Sequence, residues 1–181
     1  MAPTGGAPAA PAADPVAVLD QIVRVSNPDH AVTVALSQPK VRIGIDQLRF
    51  TVRSSRPGFV YILMAGTDRS QFWLLFPNEV DRDNHIGAQR ALALPRPSWR
   101  MTATGPAGVD HMLVIVSEAP RDFRAAGLQA RSPFAEFPLA ALAHAAPGAD
   151  GVPVFAGTPR CAPNAPCANS FGAHQFTIEE M

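Results

Sequence analysis

Between residues 30 and 180 the hydrophobic positions recur mainly at every second residue. "HAVTVAL" (30–36) alternates, and "LRFTVR" (48–53) does so without a break. Leu48, Phe50 and Val52 are expected to face a core, and Arg49, Thr51 and Arg53 to face water. "FVYILM" (59–64) is apolar on both faces, the pattern of a central strand covered on each side. "AGTDRS" (65–70) is a turn and "QFWLLF" (71–76) a return, so the two runs predict a hairpin. "RALALP" (90–95), "HMLVIVS" (111–117) and "HQFTIEE" (174–180) add three strands, the last with Phe176 and Ile178 inward.

Helical pattern is scarce. "PVAVLDQIVRV" (15–25) suits either a short helix or an edge strand. "PRDFRAAG" (120–127) has proline first and glycine last, as helix ends prefer, and "PLAALAHAA" (138–146) runs until Pro147 stops it. Turn residues stand at "RPG" (56–58) and "GPAG" (105–108). There is no internal repeat. Seven or eight short strands with two small helices predict a mainly β fold, a β-sandwich with helical decoration.

The first fifteen residues, "MAPTGGAPAAPAADP", have no hydrophobic period and read as a Pro/Ala-rich linker (1–15) ahead of a single domain (16–181). A linker in that position suggests the C-terminal part of a longer protein. Composition supports the β reading. Only 17% of the 181 residues are charged and 19 are proline, and proline inside a helix costs about 3 kcal/mol.

Fifteen basic and fifteen acidic residues give zero formal net charge, and the arginines are scattered. A nucleic-acid binder would show a basic excess or stripe, so nucleic acid is not an expected partner. Lys40 is the only lysine, which leaves Schiff-base and P-loop chemistry without its central residue. No apolar run approaches the roughly 18 residues of a membrane span, so direct membrane insertion of this segment is not expected.

"WLLFPNEVDRDNHI" (73–86) places Asp81, Asp83, Asn84 and His85 close together, types that hold cations. Counted from Asp81 as a calcium loop, however, the sixth and twelfth places hold Ile86 and Leu92 instead of glycine and glutamate. Asp and Asn also cap turns by bonding nearby backbone, which is the reading preferred here. Cys161 and Cys167 in "CAPNAPC" lack the CxxC spacing of zinc and redox sites. A disulfide closing a tight loop is favoured over two free buried thiols, and it would point to an extracytoplasmic location.

His30, His85, His111, His144 and His174 form no HxH, HExxH or HxxxH pair. No GxSxG, GxxxxGK[ST] or GxGxxG stretch occurs. Phe59, Tyr61, Phe72, Trp73 and Phe76 cluster on the hairpin and suit core packing better than sugar stacking. In "RPSWR" (96–100), Trp99 between Arg96 and Arg100 has the composition of an interface hot spot. Together with Asp81, Asp83 and His85 these three residues are the candidate partner contacts.

"SSRPGFVYILMAG" (54–66), "WLLFPNEVDRDNHI" (73–86), "GPAGVDHMLVIVSEAPRDF" (105–123) and "CAPNAPCANSFGAHQFTIEE" (161–180) occur in that order. Over residues 20–181 the chain resembles a bacterial domain of unknown function, found mostly C-terminal to serine/threonine protein kinase domains, caspase-like peptidase domains or export signals. The closing pattern of that family has a small residue where this chain has His174. The resemblance implies an immunoglobulin-like β-sandwich accessory module with no catalytic residues and no cofactor. It also implies a periplasmic or otherwise extracytoplasmic place, tethered through a membrane span outside this segment. The expected function is a non-catalytic sensor or protein-interaction domain whose partner is a protein or cell-envelope ligand. The alternative is a cell-wall or carbohydrate-binding module.

Overall fold

Along the chain, helix α1 (Pro15–Val25) leads into strands β1 (Val32–Leu36), β2 (Lys40–Val41), β3 (Phe50–Ser54) and β4 (Gly58–Ala65). β5 (Phe72–Phe76), β6 (His85–Ile86), β7 (Ala91–Leu94), β8 (Gly108–Ser117) and β9 (Arg121–Asp122) follow. The last part holds β10 (Ala135–Glu136), α2 (Leu139–Leu142), β11 (Thr158–Pro159) and β12 (Phe171–Glu180). This computed structural model describes residues 14–143, 147–148 and 150–181. Residues 1–13 of the expected linker, and His144, lie outside the described residues.

Strands β1, β3 and β7 form a small antiparallel sheet in the order β1-β3-β7. The larger sheet has the order β10-β5-β4-β8-β12-β2, with β6 paired to the start of β4. Its one parallel pairing is the edge contact of β12 with β2. The result is mainly β, with two sheets facing each other and two short helices, as the alternation predicts.

Strand β4 sits between β5 and β8 and is covered on both faces. Val60 and Ile62 join Val52, Phe50, Met112 and Val114 in the core between the two sheets. Tyr61, Leu63 and Ala65 enter a second core on the opposite side, with Leu19, Ile22, Phe137, Phe155 and Phe171. The β4–β5 register shifts so that Ile62 faces Phe76 and Leu63 faces Leu74. Leu75 is thus the extra residue of a bulge, and Leu75 and Phe76 both turn into the first core. A Cβ on Gly58 would lie 2.5 Å from the Ser117 carbonyl oxygen. The glycine of "RPG" therefore permits a close approach where β4 enters the sheet, beyond serving the turn.

The second core is closed by α1 and by the irregular segments after β8. Pro15 occupies the first helical position, where a missing N–H does no harm, and the Asp14 carboxylate accepts the Val16 N–H at 2.9 Å. Val16, Leu19 and Ile22 are buried at three-residue spacing, and this face decides for helix over edge strand. Val25, the helix's last residue, is exposed.

Residues 120–127 are not the helix that their Pro and Gly ends suggest. They form β9 and a single 3-10 turn over Arg124–Ala126, closed by left-handed Gly127. The cause is local. The Arg121 N–H donates to the Tyr61 hydroxyl at 2.7 Å, and the Asp122 carboxylate accepts the Arg124 N–H at 2.8 Å. Those bonds hold the first residues extended and let a turn start only afterwards. The helix expected over 138–146 is α2, which covers Leu139–Leu142.

The Arg121 guanidinium is buried beneath the final loop. It donates to Ser117 Oγ (2.7 Å), the Gly157 carbonyl (2.9 Å) and Asn169 Oδ1 (2.7 Å), and lies 4.7 Å from the centre of the Phe171 ring. Burial pushes its pKa down to about 10, against the opposing influence of Tyr61 and Asp150. This side chain ties the segment 157–169 to the sheet. Within that segment Cys161 and Cys167 form a disulfide, so free buried thiols are excluded. Cys161 is half-buried and Cys167 exposed.

Replacing Arg121 by Met leaves buried oxygens of Ser117, Gly157 and Asn169 without their donor. We expect a loss of about 2–5 kcal/mol in denaturant unfolding. Amide exchange should accelerate first across 157–169. Arg121→Lys should recover only part of the loss, because an ammonium cannot span three acceptors in the guanidinium plane.

Candidate functional site

The loop 77–89 leaves β5 at Pro77 and is shaped by its own polar residues. Asn78 Oδ1 accepts the N–H groups of Val80 (3.1 Å) and Asp81 (3.0 Å), and its Nδ2 donates to the Leu75 carbonyl. The Asn84 amide donates to the Val60 carbonyl at 3.0 Å and its own carbonyl accepts the Val60 N–H. The chain is thereby sewn back onto the start of β4. Asx-type capping explains the Asp/Asn content, as the turn reading expects.

Three of the six candidate contact residues meet inside this loop. Arg96 donates from Nε and Nη2 to the Asp81 carboxylate at 2.8 and 2.5 Å, and Trp99 Nε1 donates to the same group at 2.9 Å. Arg96 also donates to the Asp83 carbonyl. Trp99 is 8% exposed, lies nearly parallel to Phe76 (interplanar angle 5°) and meets Phe134 edge-on. Burial pushes the Asp81 carboxyl up, but the bonds from Arg96 and Trp99 and the Arg96 charge outweigh it and hold the group below the usual carboxylate range. The side chains of Asp83, His85 and Arg100 are exposed and are not drawn into this cluster. His85 lies with its ring edge toward Phe59.

Among the described residues no three His, Cys, Asp or Glu side chains gather closely enough to hold a metal ion. None of their helices is long and apolar enough to cross a membrane. His30 is buried with Nε2 2.8 Å from Ser54 Oγ, and burial holds its pKa below the ordinary value. Tyr61 and Trp73 belong to opposite faces of the large sheet, so the hairpin aromatics do not share one stacking surface.

A cavity of about 430 Å³ opens on the first-core face of the large sheet. That size lies within the range of small-molecule sites, about 300–1,000 Å³. It exists because the covering sheet has three strands and the covered one has more than twice as many. Beyond the small sheet, cover falls to Leu48, the segment 101–104 and the segment 131–134. The apolar walls are Leu48, Met64, Trp73, Leu75, Met101 and Ile178.

Two carboxyls close one end. Asp110 is 7% exposed, and its Oδ1 accepts both the N–H and the hydroxyl of Thr67 at 2.9 Å. Glu180 accepts the Gly105 N–H at 2.6 Å. It stands diagonally across the β8–β12 pair from Asp110, within hydrogen-bonding contact of it. Burial above all, then the bond to Gly105 working the other way, and the Asp110 charge leave the Glu180 carboxyl above its usual range. At the mouth, Arg131 lies 3.9 Å from Glu136.

Neither carboxyl was singled out among the candidate residues, yet the pattern carries a signal. Asp110 occupies the inward register of β8 with Met112, Val114 and Val116, and Glu180 that of β12 with Phe176 and Ile178. A carboxylate at an inward position of an alternating strand is the departure that marks the site.

A family model, Domain of unknown function (DUF4384), matches residues 40–120. The matched stretch runs from β2 to the end of β8 and contains the loop 77–89 and Asp110, while Glu180 lies outside it. No curated protein and no solved structure matches the chain.

Asp81→Asn removes the charge that Arg96 answers. We expect a loss of about 1–3 kcal/mol at neutral pH. A depressed carboxyl stabilises the fold above its unfolded pKa, and that stability is lost as pH falls through the folded value. The gap between wild type and variant in chemical denaturation should therefore close in acid. Glu180→Gln has the opposite sign. A carboxyl raised by folding binds its proton more tightly in the native state, so stability falls as pH rises from the unfolded pKa through the folded one. The variant should be more stable than wild type at neutral pH and equal to it in acid, as read by Tm across a pH series.

Proposed function

We propose that this domain is a non-catalytic ligand sensor of the cell envelope, a C-terminal module that reports occupancy to a serine/threonine kinase or another secreted effector. The observation that carries the reading is the cavity, whose apolar walls run between an acid pair, Asp110 and Glu180, at the closed end and Arg131 with Glu136 at the mouth. Its floor is the large sheet, and its roof is two irregular segments, 101–104 and 131–134. A ligand filling it would tie both segments to the sheet and favour one arrangement of the rim by its affinity for that state. The partner side of the domain would then read the rim.

The surface disulfide supports a place outside the cytoplasm, since such bonds persist mainly in oxidising compartments. The extracytoplasmic tether and the kinase context are part of the proposal and rest on the resemblance of the sequence motifs.

The neutral fluorophore N-phenyl-1-naphthylamine tests the cavity. We expect it to bind the wild type with a rise in emission and in Tm, and to lose most of that binding in Ala103→Phe, which fills the wall. Binding that is absent in wild type, or equal in the variant, overturns the ligand reading. Alkylation of whole cells under denaturing conditions tests the compartment. Cys161 and Cys167 should resist modification until a reductant is added, and free thiols in untreated cells would sink the extracytoplasmic placement.

A further inference from the structure

The charges around the cavity are unevenly answered. Arg131 and Glu136 at the mouth face one another, and Lys40 is engaged outside by Glu179 at 2.8 Å. At the closed end Asp110 and Glu180 stand against each other, and no cationic side chain is among the residues lining that end. Thr67 spends both its donors on one oxygen of Asp110. Two carboxyls so placed repel one another when both are ionised, and a cation between them removes that repulsion. A carboxylate or phosphate entering that end would add a third negative group and be repelled by both carboxyls.

We propose that the cavity selects an amphipathic ligand with an apolar body and a single protonated amine, the ammonium group seated between Asp110 and Glu180 and the body along Leu75, Met101 and Ile178. This inference rests on the ligand-sensing reading and names its ligand class. An ammonium offers three donors, enough for Asp110 Oδ2, for Glu180 and for a hydroxyl or carbonyl of the 102–104 segment. The apolar body replaces water along walls that have no polar group to offer it. Each half of the ligand therefore meets the half of the cavity that suits it.

Calorimetric titration with 3-phenylpropylamine, 3-phenylpropan-1-ol and 3-phenylpropionate separates the two levels of the claim, because the three share one body. The amine should bind the wild type about tenfold or more tighter than the alcohol, a gap of about 1.4 kcal/mol, and the acid should bind weakest. In the double variant Asp110→Asn, Glu180→Gln the amine and alcohol should bind alike, with retained alcohol binding showing that the cavity is intact. Glu180→Gln alone should narrow the preference. If the alcohol equals the amine in wild type, or if the preference survives in the double variant, the cation assignment is overturned while the cavity stands. If none of the three binds but the neutral fluorophore does, the assignment is overturned too. If neither the series nor the fluorophore binds, the ligand reading itself has failed.

Discussion

Strand β4 has apolar side chains on both faces, and such a strand must be covered in four directions at once. β5 and β8 satisfy its edges, and the two faces need a layer each. Val60 and Ile62 are covered by the small sheet; Tyr61, Leu63 and Ala65 are covered by α1 and the segments around Phe137 and Phe155. The two layers are of different kinds because between β8 and β12 the sequence forms only short pieces, among them the two-residue strands β9 and β11 that pair with each other. The small sheet is also too narrow for the face it covers. The cavity is the part of that face which Leu48, 101–104 and 131–134 roof without filling. Architecture and candidate site thus have one origin.

Segments with little backbone pairing need further fastening, and here buried charged groups supply it. Arg121 bonds Ser117, Gly157 and Asn169 and keeps the final loop over the second core. Asp81, with Arg96 and Trp99, does the same for the loop after β5. Removing a charge from water seldom adds net stability over an apolar equivalent. Its effect is positional, since a guanidinium or carboxylate with several fixed partners admits one arrangement of the segments that carry them. The Asp110–Glu180 pair differs from both. In it one carboxyl stands against another, and burial and the Asp110 charge push the Glu180 carboxyl up.

Much of the β framework was legible because alternation is a local signal with a geometric cause. β1, β3, β7 and β12 fall on alternating runs, and β4, β5 and β8 on short apolar runs bounded by turn residues. The helical readings were poorer. "PRDFRAAG" has helix-like ends, but its Arg and Asp are engaged by Tyr61 and by local capping, and such partners lie far away in the sequence. The second core was not foreseen as a separate body, since Phe137, Phe155 and Phe171 stand in Pro/Ala/Gly-rich sequence without a period. Trp99 between two arginines has the composition of a contact residue, and the structure spends its indole N–H on Asp81 and its faces on Phe76 and Phe134. The acid pair joins residues seventy positions apart, which only the β8–β12 register brings together.

The loop 77–89 has a definite relation to the cavity. Asp81 holds the Trp99 indole, Trp99 meets Phe134 edge-on, and Phe134 is part of the cavity wall. Trp99 also leads directly into the 101–104 segment that roofs the other side. A group that pressed on Phe134 would therefore press on Trp99, and through it on the Asp81–Arg96 pair. The loop 77–89 thus braces the cavity through packed side chains, Asp81 on Trp99 and Trp99 on Phe134, so a change at either reaches the wall by direct contact.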